Sequence, residues 1–249
     1  MYYPYFRGKQ YELISIRECA GMMAEADFVP IVEPVKESLN GLARAMDAML
    51  EVGGYLVMIV NPINGDLSGD SAGLIDFLDG KYADHDHISA GILLTDNIDL
   101  DEVQRLCEAV GERQLTFIHS GFSDGKGLAE VVNKWDGCCH VFIENYSGKL
   151  YRRHFSNSER VLVRDGFQKR ANRLHPPVEF FSDLHVVFLD EGADGFGDFL
   201  IAGDDYSEGG GPAYAVAIHL TFIDREKDDE MYIHHFKSDR VDTPTVVVN

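Results

Sequence analysis

A chain of 249 residues with 45% hydrophobic side chains has the size and apolar content of one fully cored α/β domain, which excludes a disordered segment. Its 22 basic and 42 acidic residues give a formal charge of −20, which disfavours direct nucleic-acid binding and adhesion to anionic membranes. No stretch approaches the roughly 20 apolar residues of a membrane span, and Met1–Arg7 lacks the basic-then-apolar order of a signal peptide, so a cytoplasmic protein is expected.

Met1–Tyr5 is a short β-prone run, turned by Arg7-Gly8-Lys9 into a helix over 10–23 with Leu13, Ile16, Ala20 and Met23 on one face. Phe28–Glu33 is an apolar run that ends in a carboxylate and Pro34. Ser38 has the type of an N-cap, and Leu39, Leu42, Ala43, Met46 and Leu50 make a stripe that Gly53-Gly54 ends. Tyr55–Val60 repeats the apolar phrase and runs into a loop, 61–70, dense in turn formers. Ser71 then caps a short helix carrying Leu74, Ile75 and Leu78. Ile88–Thr95 is the next run, followed by Asp99 and Glu102 at capping-box spacing and a stripe closed by Gly111. Leu115–Ile118, a helix with Leu128, Val131, Val132 and Trp135, His140–Ile143 and Arg160–Val163 continue the alternation.

Beyond Arg164 the pattern loosens, and Asp190–Asp198 shows no period. Gly209–Pro212 reads as a turn into a long strand, Tyr214–Ile223, and the polar loop 224–230 leads to a hairpin partner, Met231–Phe236. Thr245–Asn249 is strand-like. Continuous apolar runs belong to strands covered on both faces, as in parallel sheets. Eight of them, near residues 2, 28, 55, 88, 115, 140, 160 and 215, favour a closed (β/α)8 barrel of the TIM type over an open sheet. No G-x-G-x-x-G follows the first strands, which weighs against a dinucleotide-binding fold. The expected organisation is one barrel domain over 1–249, with an irregular last βα unit and a C-terminal hairpin extension from about 225.

Three blocks carry a resemblance: Met1-Tyr-Tyr-Pro-Tyr-Phe-Arg-Gly-Lys-Gln-Tyr-Glu-Leu-Ile14, Val29-Pro-Ile-Val-Glu-Pro-Val35, and Gly195-Phe-Gly-Asp198 with Ala217-Ile-His-Leu220. In these the chain resembles the phage beta protein family and its bacterial relatives. The resemblance runs over nearly the whole chain, and it implies a barrel-like α/β domain. It brings no catalytic residues with it, and it implies the company of phage-related, mobile or defence-related genes.

Barrels place their sites at the C-terminal ends of the strands. The proposed strands put Arg7 and Lys9, then Glu33, Asn61, Asp96, His119, Glu144 and Asp165 on that rim, with Arg164 beside them. Glu33, His119, Glu144 and Asp165 are the candidate catalytic groups; Arg7, Lys9, Asn61, Asp96 and Arg164 are candidate ligand contacts. Converging carboxylates with an Asn and a His suit Mg²⁺ or Mn²⁺, which could activate water on a phosphate ester. Without metal, Glu33 and Glu144 could split their pKa values as an acid/base pair. Polar residues also end strands simply because loops meet water there.

Charge is unevenly placed. Lys149–Arg173 holds eight basic residues against Glu159 and Asp165, whereas 174–224 holds ten acids and no Lys or Arg. The basic stretch could dock an anion, or could neutralise the acids that follow. The acidic tract suits a protein partner, a basic one above all. The remaining signals are weaker. His85-Asp86-His87 reads as a solvated loop, and His175-Pro176-Pro177 as an extended one. His234 and His235 point to opposite faces of a strand, which is poor geometry for one metal. Cys138-Cys139 reads as a small apolar pair at a strand entrance, and all four cysteines as reduced thiols. Two readings result: an acidic interaction protein of a phage- or mobile-element-related system, or a metal-dependent hydrolase or phosphodiesterase working at the rim.

Overall fold

Apolar runs that need cover on both faces are satisfied by a ring of parallel strands inside a ring of helices, and the computed structural model, which describes residues 1–208 and 215–239, has that arrangement. In chain order the elements are β1 (Tyr5–Phe6), α1 (Gln10–Glu25), β2 (Ile31–Val32), α2 (Asn40–Glu51), β3 (Leu56–Ile59), α3 (Ser71–Lys81), β4 (Ile88–Thr95) and α4 (Leu100–Val110). There follow β5 (Leu115–Ser120), α5 (Gly125–Val132), β6 (Cys139–Ile143), α6 (Lys149–Arg152), β7 (Glu159–Arg164), β8 (Val178–Ser182), α7 (Leu184–Val187), β9 (Gly195–Asp198), β10 (Ala217–Asp224) and β11 (Glu230–Lys237). The barrel order is β1-β2-β3-β4-β5-β6-β7-β9, parallel throughout. A single parallel bridge, Tyr2 to Phe196, draws the last strand onto the first, with Tyr3 N donating to Phe196 O at 2.8 Å.

The strand period of two sorts the core into two layers. Tyr3, Tyr5, Ile31, Ile59, Leu93, Ile118, Val141 and Val163 fill the barrel, while Phe6, Val32, Met58, Ile92, Phe117, Phe142 and Leu162 pack under the helices. Helix starts follow local chemistry. Asp99 accepts from Glu102 N at 2.8 Å, as its spacing predicts. Two expected caps move: Asp70, not Ser71, caps α3 by accepting from Gly73 N, and α2 begins without a side-chain cap although Ser38 lies close by.

The eighth barrel strand is a correction. The apolar run near 215 lies outside the ring, and β9, in the stretch without a period, takes the place. Its two glycines explain both facts. A Cβ on Gly197 would stand 2.1 Å from Tyr3 O and one on Gly195 2.9 Å from the Tyr3 ring, so closure against β1 demands residues that carry no hydrophobic signal. The expected hairpin forms as β10–β11, but it is extended to a three-stranded antiparallel sheet, β10-β11-β8, by a strand the sequence pattern did not reveal. The expectations for Gly209–Pro212, the start at Tyr214 and Thr245–Asn249 lie outside the described residues. Cys138 and Cys139 are unpaired and buried at the entrance of β6, and burial pushes the Cys138 thiol up to about 11, so neither is poised for redox work. Among the described residues no helix is long and apolar enough to cross a membrane.

Candidate functional site

Each strand can send only every second residue into the barrel, and this splits the rim residues. Arg7, Glu33, Asn61 and Asp165 are in phase with the barrel-filling Tyr5, Ile31, Ile59 and Val163, so they stand at the mouth. Asp96, His119, Glu144 and Arg164 are one residue out of phase and belong to other surroundings.

At the mouth, the buried Glu33 is the hub. Its Oε2 accepts from the Arg7 guanidinium and from Tyr5 Oη at 3.1 Å. Its Oε1 accepts from Asn64 Nδ2 at 3.0 Å and from the backbone N–H groups of Ile63 and Asn64, each at 3.2 Å. Arg7 also donates to Asp204, with Nη2 2.8 Å from Oδ1, and Tyr146 Oη donates to the other Asp204 oxygen at 2.8 Å. Asp165 accepts from Phe167 N at 3.0 Å and from Asp204 N at 2.9 Å. Below this net Phe199 fills the lumen, its ring 4.8 Å from Tyr5 and 5.3 Å from the Arg7 guanidinium carbon. Burial works against the charge on Arg7, but Tyr5, Glu33 and Asp204 outweigh it and hold the guanidinium above its ordinary value. Burial and the Glu33 charge drive the Tyr5 phenol well up, so it stays a hydrogen-bond donor.

Chemically, this mouth is a tie rather than an open site. The oxygens of Glu33 and Asp165 already accept from protein donors, so the set fits Mg²⁺ or Mn²⁺ poorly: a hard cation would have to displace Arg7. Asn61 is likewise engaged, exchanging hydrogen bonds with the Leu93 backbone at 2.7 and 2.8 Å. Lys9 stands at the start of α1 and reaches Ser207 O at 2.7 Å.

The out-of-phase residues do other work. Asp96 is exposed. Glu144 and Arg164 pair at 2.5 Å, and Arg164 also holds Asp183. His119 lies outside the barrel wall, among Phe142, Phe155 and Tyr151, with Nδ1 2.8 Å from Tyr151 Oη and Nε2 3.0 Å from His140 Nδ1. Burial pushes His140 down to about 4, and burial with the His140 neighbour holds His119 well below the ordinary histidine value, so the pair is a neutral core element. Glu33, His119, Glu144 and Asp165 therefore do not converge on one cavity. Sequence reasoning missed Asp204, Asn64 and Phe199, which sit in loops without period, and it missed Tyr5, which was read only as the end of a β-prone run.

A second feature lies past the start of α1 and the end of β9, beside the mouth. The helix that would follow the last strand of an eightfold repeat is replaced by the three-stranded sheet. Between that sheet and the barrel wall runs an apolar groove of about 750 Å³, lined by Tyr2, Phe28 and Phe196 from the wall and Phe181, Ile223 and Met231 from the sheet. The outer face of the sheet carries Ile218, Leu220 and Phe222 on β10, Tyr232, His234 and Phe236 on β11, and Val178 and Phe180 on β8. Ile218 is 67% and Leu220 58% exposed, and β10 is an eight-residue edge strand. No family model matches the chain, and no curated protein matches it.

Proposed function

We propose that the protein is an interaction module that docks a protein partner on the outer face and free edge of its C-terminal sheet. The apolar outer face carries this reading. Soluble proteins rarely expose a contiguous patch of this kind without a partner for it, and a strand edge that is unpaired among the described residues offers main-chain hydrogen bonds to an added strand. Charge argues for a different protein over a second copy, because two copies would each bring −20 to the contact. The partner selected is apolar rather than basic. The acidic tract is spent locally: Glu179 on Arg170, Asp183 on Arg164, Glu191 on Lys149 and Arg152, and Asp204 on Arg7. The likeness to phage beta proteins supports placing that partner in a phage-related, mobile or defence system. The hydrolase alternative is the weaker one, because the mouth carboxylates already serve protein donors.

The test is a Leu220→Asp/Phe222→Asp double variant, checked for fold by circular dichroism. The wild-type chain should run as a monomer in size-exclusion chromatography with light scattering and hold a stoichiometric partner from its native cells, which the variant releases. A partner retained by the variant, or a wild-type dimer that the variant splits, would overturn the assignment.

A further inference from the structure

On the inner face of the same sheet three histidines from three segments meet. His219 on β10 and His235 on β11 are directly paired residues, and their Nδ1 atoms are 2.6 Å apart. His175, buried just ahead of β8, stacks on His235 with ring centroids 4.3 Å apart. One ring nitrogen from each lies within 4.8 Å of the others. We propose that His175, His219 and His235 bind a divalent first-row transition metal, zinc above all, with Glu179 orienting two of the rings.

The carboxylate is the telling part. Glu179 Oε1 is 3.5 Å from His175 Nδ1 and, off the line of a good hydrogen bond, 3.0 Å from His235 Nε2. Arg170 fixes its other oxygen at 2.7 Å. A carboxylate that takes the far N–H of a ligating imidazole sets the tautomer and leaves the near nitrogen bare for metal. For His175 that leaves Nε2 as the bare nitrogen; Glu179 lies beside His235 Nε2 without a hydrogen bond in line, and His235 Nδ1 faces His219. A proton shared between His219 and His235 would satisfy their Nδ1 atoms without metal, but His175 Nε2 and His235 Nε2 are both buried with no hydrogen-bond partner among the described residues. Imidazole nitrogens suit zinc and its neighbours, whereas Mg²⁺ and Ca²⁺ take oxygen. Ligand nitrogens about 2.0–2.1 Å from a tetrahedral ion stand about 3.3 Å apart, so the closest pair, now 2.6 Å apart, has to part by about 1 Å or less, and pairs standing up to 4.8 Å apart have to draw together. Three nitrogens leave the fourth position to water or an external ligand.

The experiment uses the full metal-free chain. Titration with Co²⁺ should give visible absorption bands of four-coordinate intensity that saturate at one equivalent and vanish on adding Zn²⁺. Zn²⁺ should raise the melting temperature, and Mg²⁺ should not. His219→Ala, whose side chain is only half-buried, should lose both signals with its circular dichroism unchanged, and Glu179→Gln should weaken Zn²⁺ by about 10–100-fold. A folded wild-type chain that gives no Co²⁺ bands would overturn the site, as would His219→Ala binding like wild type.

Discussion

Two imidazoles kept neutral in a core make stability depend on acid. His119 and His140 bind no proton in the folded chain near neutrality, and His140 does so only at about 4. In the unfolded chain both take up a proton near the ordinary histidine value of about 6.5. Below that pH the unfolded state holds more protons than the native one, so stability is full above about 6.5 and is lost as pH falls towards about 4. Each group contributes up to about 1.4 kcal/mol per pH unit within that window. Urea unfolding should therefore show a midpoint that falls on acidification, and His140→Phe should remove about one group's share of the slope; an unchanged slope would refute the assignment. At this scale the sequence was half legible. Chemical type identified Arg7, Glu33, Asn61 and Asp165 as mouth residues, but a slip of one position along a strand sends Asp96, His119, Glu144 and Arg164 to other faces. Phase also hid the histidine cluster. The adjacent pair His234-His235 does face both ways, as expected, while the partners of His235 come from across the strand and from ahead of β8, a register that sequence spacing does not contain.

Elements with an apolar run were legible, and the element without one was not. Seven barrel strands follow from continuous hydrophobic stretches flanked by turn formers, because both of their faces are covered. β9 reads Gly-Phe-Gly-Asp, and its only large side chain, Phe196, packs on Tyr2 outside the barrel at 5.2 Å between ring centroids. Its glycines admit the β1 backbone, a requirement set by the far end of the chain. β8 was missed for a related reason: Val178-Glu-Phe-Phe-Ser182 alternates weakly and has meaning only beside β11. Closure resting on Gly197 has a measurable consequence. A methyl group 2.1 Å from Tyr3 O meets the β1 backbone, with the Val163 side chain 3.1 Å away, and cannot be relieved by a rotamer change of Tyr3. Gly197→Ala should cost about 1–3 kcal/mol by urea unfolding, towards the upper end. Gly21→Ala, in open space on α1, should instead be neutral or slightly stabilising by helix propensity. Equal effects at the two sites would mean that β9 does not close on β1.

At the scale of the whole molecule the question is what a charge of −20 does to the fold. The basic stretch pairs with acids of the tract that follows it: Arg164 with Asp183, Arg170 with Glu179, and Lys149 and Arg152 with Glu191. Many surface acids elsewhere have no such cation: Asp84, Asp86, Asp96, Asp101 and Asp136 are exposed. They repel one another in the compact state more than in an expanded chain. The one strongly buried pair, Arg7 with Glu33, is shielded from solvent and is screened little by salt. Screening should therefore relieve repulsion at the surface without loosening the mouth. Raising NaCl from near zero to about 0.15 M, where the screening length is about 8 Å, should raise the melting temperature. Each 1 kcal/mol relieved is worth about 2–4 °C for a chain of this length. A fall on adding salt would mean that exposed ion pairs such as Lys81 with Asp47 outweigh the repulsion, and that the excess of acid is a feature of the partner surface rather than a cost borne by the fold.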